Sequence, residues 1–180
     1  MLISKFADCS EDELLKLEER FGITLPKLYK DFLTGYNGGD TPKTSVKIGK
    51  TSTDVRGFFG VGSANMNFDK FDPDEWCERE MLPIAEDSFG NYFSIDKEGK
   101  IYFCDHEKGY RSQCVADDLK KFISRCKNDV ISETAKKTVE EREAYMISKG
   151  RGHLVTDGLR KMWQAEYDKY SKMVQEEVKI

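Results

Sequence analysis

The period of the apolar positions changes along the chain, and each change predicts an element. Ser10-Glu11-Asp12-Glu13 has the form of a capping box, in which serine and glutamate each satisfy an orphan backbone N–H. Leu14, Leu17 and Phe21 then fall on one helical face, and Gly22 closes that helix. Pro26 suits a first helical turn; Leu28, Tyr29, Phe32, Leu33 and Tyr36 recur at helical spacing after it, and Asn37-Gly38-Gly39 stops the run.

From Thr44 the period becomes that of strands. Ser45 to Ile48 and Phe58 to Val61 are short β-leaning segments divided by Gly49, Gly57 and Gly62. The polar, aromatic stretch from Asn65 to Glu80 reads as a loop with a helical turn beginning near Pro73. Leu82 to Ala85, Asn91 to Asp96 and Lys100 to Asp105 read as three strands joined by hairpin-type turns, so neighbours are antiparallel. Phe93, Ile95, Ile101 and Phe103 alternate with Tyr92, Tyr102 and Cys104, which implies a sheet covered on part of both faces. A helix over about Ala116 to Lys127 offers Leu119, Phe122 and Ile123.

Residues 128–180 read as helical throughout, broken at Gly150-Arg151-Gly152. Ile131, Ala135, Val139 and Tyr145 or Met146 mark one face. A helix from about His153 to Val178 should bury Leu159, Met162, Trp163, Tyr170 and Val174. The expected organisation is an α+β domain over 1–127, with a mainly antiparallel sheet packed against helices, and a helical extension over 128–180 packed on the same domain.

Composition narrows the function. With 38% hydrophobic and 34% charged residues, 180 positions can bury a core without staples. No run is long and apolar enough for a bilayer span, and the first ten residues lack a secretory signal's apolar stretch, so a cytoplasmic protein without membrane partners is expected. The five cysteines never form a C-x-x-C pair, which argues against a disulfide framework and a zinc site. The net charge of −4 argues against nucleic acid as a partner; residues 1–127 hold 23 acids and 19 bases, whereas 128–180 hold ten of each.

Candidate chemistry is sparse. Neither His106 nor His153 lies in a catalytic or metal motif, and nothing calls for a cofactor or metal. Cys104-Asp105-His106-Glu107 looks chemical, but neighbours on a strand point to opposite faces and cannot converge. Asp87, Asp96 and Asp105 recur every nine residues beside turns, where aspartate bonds its own backbone.

More informative is Asp69 to Asp87, where eight carboxylates face only Lys70 and Arg79 and are interleaved with aromatic rings. An acidic segment with aromatic anchors suits a basic protein partner, carboxylates for steering and a ring for the desolvated centre. Phe71, Asp72, Asp74, Glu75 and Trp76 are the expected partner-binding residues.

Taken in order, Glu18 to Leu33 with Leu25-Pro26, Tyr29, Phe32 and Leu33, then Tyr36-Asn37-Gly38-Gly39, resembles the opening signature of the SUKH superfamily. Leu82-Pro83-Ile84-Ala85-Glu86-Asp87, Gly90-Asn91 and Gly99-Lys100-Ile101-Tyr102 are similar to the same family's middle strands, and the resemblance covers about Ser10 to Lys127. It implies an α+β domain with a mixed sheet packed against helices and no shared catalytic residues. In function it implies a cytoplasmic immunity protein that neutralises a toxin, often a nuclease or deaminase, or else a scaffold of the cell-wall-regulator type found in a eukaryotic branch.

Overall fold

A computed structural model describes residues 1–180, and the chain divides into two compact units: residues 1–129 with 176–180, and residues 130–175.

The larger unit opens with strand β1 (Leu2–Lys5) and helix α1 (Glu11–Phe21). The capping box forms as its residue types require: Ser10 Oγ accepts from Glu13 N at 3.3 Å, and Glu13 Oε2 accepts from Ser10 N at 2.9 Å. Gly22 ends the helix at φ 60°, and Leu14, Leu17 and Phe21 are its buried face. Helix α2 (Lys27–Tyr36) buries Tyr29, Phe32 and Leu33 completely. Asn37 then takes a left-handed φ of 48° and uses its buried side chain as a clamp, accepting from Val61 N at 2.8 Å and donating to Val61 O at 3.1 Å. Next to it only glycine fits at position 38, where a Cβ would lie 2.6 Å from the Phe58 carbonyl oxygen.

Ten further strands and two helices complete this unit. They are β2 (Gly39–Asp40), β3 (Thr44–Ile48), β4 (Thr51–Asp54), β5 (Gly57–Phe58), α3 (Pro73–Glu78), β6 (Met81–Glu86), β7 (Tyr92–Asp96), β8 (Ile101–Asp105), β9 (Arg111–Ala116), α4 (Leu119–Arg125), β10 (Lys127–Asn128) and, after the second unit, β11 (Glu176–Glu177). An eight-stranded sheet runs β11-β1-β2-β5-β6-β7-β8-β9 and a three-stranded one β10-β3-β4. Every strand pair is antiparallel; a lone parallel bridge joins Gly60 and Asn67. Phe122 of α4 packs 5.0 Å from Phe93 and 6.2 Å from Phe58, and Phe58 lies 5.0 Å from Phe32, so one aromatic chain links sheet and helices.

Besides β1 at the start of the chain, strands not visible in the pattern include polar ones. β9 begins Arg-Ser-Gln-Cys with those four residues exposed, as an edge strand should, and so lacks the apolar alternation that reveals β7 and β8. β4 is Thr-Ser-Thr-Asp and β11 is Glu-Glu.

In the smaller unit, helices α5 (Val139–Ser148) and α6 (Asp157–Tyr170) join through a short 3₁₀ turn at Gly152–Leu154. Trp163 is buried beneath the Arg142 guanidinium, 5.8 Å from its ring, and Arg142 pairs with Glu166 at 2.7 Å. Arg160 grips Glu143 at 2.7 and 3.1 Å and Asp157 at 2.9 Å. Of the stripe expected to be buried, only Trp163 is; Met162 is 52% and Val174 76% exposed. The helix expected through Val178 stops at Tyr170, because the chain leaves to pair β11 with Leu2 and Ile3. No helix is long and apolar enough to cross a membrane.

Candidate partner-binding surface

The acidic segment is built on two caps. Asn67 Oδ1 accepts from Asp69 N at 2.9 Å, starting a 3₁₀ turn, and Asp72 Oδ1 accepts from Asp74 N at 3.1 Å, starting α3 with Pro73 at its first position. Asp74 and Glu75 fall in the first turn of α3, where negative charge complements the unpaired N–H groups.

Behind these caps the aromatic residues turn inward. Phe71 and Trp76 are 5% and 2% exposed. Phe71 sits edge-on to Phe59 at 4.9 Å and to Tyr92 at 5.2 Å; Trp76 lies 5.7 Å from Tyr92 and 5.5 Å from Tyr110, which stack on each other. Two cations close over the rings: Lys70 Nζ lies 4.6 Å from the Phe59 ring while pairing with Glu86 at 2.5 Å, and Arg79 spans Trp76 and Tyr110. Arg20 of α1 holds Asp69 at 2.5 Å and the Phe71 carbonyl at 3.0 Å, and the Cys77 thiol donates to the Phe21 carbonyl. Burial of Phe71 and Trp76 therefore removes them from the exposed contact surface expected of them. Their rings anchor the segment to the core.

The eight carboxylates divide by role. Glu86 pairs with Arg56 and Lys70, and the buried Asp87 accepts from Thr53 Oγ1, Asn91 Nδ2 and two backbone N–H groups, so both serve the interior. Asp69 is spent on Arg20. Glu75 and Glu80 keep long, exposed contacts to Arg79 at 3.4 Å and Lys97 at 3.9 Å. Asp72, Asp74 and Glu78 are exposed and take part in no salt bridge. Thus Asp72, Asp74 and Glu75 are each exposed, at the start of a short helix whose aromatic residues are buried behind it.

Glu80 stands out by its backbone, at a left-handed φ of 52° between α3 and β6. It borders a cleft of about 280 Å³ lined by the Phe21–Pro26 loop, Cys77, Met81 and Ile95 to Lys97. Nothing in composition or spacing signals that backbone; the run of acids contained Glu80 only as one charge among eight.

Cys104, Asp105, His106 and Glu107 do not converge. Cys104 is buried against Ser94 Oγ at 3.5 Å, and burial pushes its thiol up. His106 Nδ1 turns to Asn91 Oδ1 at 3.0 Å, and Asp105 bonds Glu107 N and Lys108, the latter holding its carboxyl below the usual range. Asp87, Asp96 and Asp105 each accept from backbone N–H groups within two to four residues, the turn role expected of them.

A curated relative from Bacillus subtilis (strain 168), described as "SPbeta prophage-derived uncharacterized protein YokK", is 27% identical over 140 residues, covering 63% of this chain and 72% of its own. No solved structure gives a significant match. The model of the SMI1 / KNR4 family (SUKH-1) matches residues 8–125, a stretch that runs from the entry to α1 through the end of α4. With that match spanning the signature on α1 and α2 and the meander of β6 to β9, the chain belongs to the SMI1 / KNR4 family (SUKH-1).

Proposed function

We propose that this protein is a cytoplasmic immunity protein that neutralises a cognate toxin by binding it, without catalysis, and that the toxin is a nuclease or deaminase. The observation that carries this reading is the exposure of Asp72, Asp74 and Glu75 at the start of α3, anchored to the core by the buried rings of Phe71 and Trp76. An enzyme that acts on nucleic acid needs a positively charged groove for phosphates, and carboxylates presented on an already folded helical turn enter such a groove with little ordering cost. The prophage origin of the relative fits immunity better than the cell-wall-regulator role of the eukaryotic branch.

The test is association kinetics against an identified cognate toxin domain, at two ionic strengths. Asp72→Asn, Asp74→Asn and Glu75→Gln together remove three charges, while the asparagine introduced at position 72 can still cap α3. Each exposed ion pair contributes at most about 1 kcal/mol, so the triple variant should associate about tenfold or more slowly and lose most of its salt dependence. Wild-type association rates in that variant, with the fold intact, would place the interface elsewhere.

A further inference from the structure

Against the acidic balance of the larger unit, one groove is entirely basic. It holds about 620 Å³ on the face of the β10-β3-β4 sheet beside the end of α4, and its polar side chains are Lys47, Arg125 and Lys127 with Ser45, Ser52 and Ser124. The register explains the grouping. Ser45 and Lys47 alternate with the buried Thr44, Val46 and Ile48, so both face outward; Lys47 is paired across the sheet with Ser52, and Ser45 with Lys127.

None of the three cations takes part in a salt bridge. Asp54, across from Ser45, accepts from the Ser88 N–H and hydroxyl, and Asp117 of the loop before α4 pairs with Lys121 while the Arg125 charge also acts on it. Arg125 is positioned by one donation, from Nη1 to the Val115 carbonyl. Ser124 donates its hydroxyl to the Lys121 carbonyl.

We propose that this groove is a binding site for a small oligophosphate anion, held by Lys47, Arg125 and Lys127 with hydroxyl donors from Ser45 and Ser52. A carboxylate has two acceptor oxygens and is satisfied by one guanidinium. Three cations with several hydroxyls match the larger acceptor count of phosphoryl groups. From strand spacing and rise, the Lys47 and Lys127 Cα atoms stand about 8 Å apart, a span that suits two or three linked phosphoryl groups better than one. The site is separate from α3 and does not depend on the toxin-binding reading.

Titration of the full-length chain with sodium tripolyphosphate in phosphate-free buffer, followed by amide chemical shifts, tests the assignment. Saturable shifts are expected at Lys47, Ser52 and Ser124, and Lys47→Glu with Lys127→Glu should weaken binding about tenfold or more. Lys16→Glu with Lys27→Glu makes the same change in net charge on α1 and α2 and should leave binding near wild type. Equal losses in the two double variants would reduce the effect to bulk charge and overturn the site, as would shifts that grow linearly without saturating. Adenosine triphosphate in place of tripolyphosphate distinguishes a nucleotide from a bare phosphate chain, either of which supports the site; a short single-stranded oligonucleotide binding more tightly than both would overturn it in favour of a polymer groove.

Discussion

Tyr29 ends in a fully buried hydroxyl that has no hydrogen-bond partner, in the middle of a helix face otherwise made of Phe32 and Leu33. A buried polar group without a partner is a cost, so Tyr29→Phe should raise stability by about 1 kcal/mol in denaturant melts, whereas a fall would reveal a partner for the hydroxyl. The cysteines make a second residue-scale prediction. Burial pushes the Cys126 thiol up to about 12 from its ordinary 9.0, and it also raises Tyr29 well above the ordinary tyrosine value. A group whose pKa is raised on folding contributes stability that is full below its unfolded value and is lost as pH rises through the folded one. Melting temperature should therefore begin to fall near pH 9 and keep falling toward pH 12, and Cys126→Ala should flatten the first part of that decline. A slope identical to wild type would mean the thiol is not buried as described.

At the scale of elements, α3 is only six residues long and could not persist without tertiary support. Trp76 supplies that support through its contacts with Phe71, Tyr92 and Tyr110 and the Arg79 guanidinium over its face. Trp76→Ala should cost about 3 to 5 kcal/mol, and its effect on toxin binding should follow from loosening of the acidic face. A melting midpoint unchanged by Trp76→Ala would return the ring to the role of an exposed anchor. The last strand is a smaller case. β11 adds to β1, with Leu2 opposite Glu177, Val178 buried, Val178 N donating to Met1 O and Tyr36 Oη accepting from Lys179 N. Ending the chain at Gln175 should cost about 2 kcal/mol, mainly from loss of the buried Val178 side chain.

For the whole molecule, the consequence of β11 is that the helical residues 130–175 are an insertion and not a tail. Leu2 pairs with Glu177 on one side and its N–H reaches Asn128 Oδ1 at 3.2 Å on the other, so the two connections leave the larger unit from neighbouring positions. Replacing 130–175 by a short Gly/Ser linker should leave a cooperatively melting domain, because every strand pair of both sheets lies outside the replaced segment. Loss of cooperative melting in that variant would show that the strand-paired unit needs residues 130–175 to fold.

What the sequence determined by itself is what local chemistry decides. The capping box, Pro26, the Leu14-Leu17-Phe21 and Tyr29-Phe32-Leu33 faces, and the β6 to β8 alternation each satisfy backbone groups or bury an apolar stripe within a few residues, so their pattern is legible before folding. The acidic run was legible too, as charge. Only the tertiary structure decided which members of that run face outward. Asp87 and Asp72 look alike in sequence, yet one is buried beneath Thr53 and Asn91 and the other caps an exposed helix. The inward turn of Phe71 and Trp76, the polar edge strands β4, β9 and β11, and the convergence of Lys47, Arg125 and Lys127 likewise depend on partners distant in the chain. A period of two or 3.6 records which face of an element is apolar; it carries no record of what that face meets.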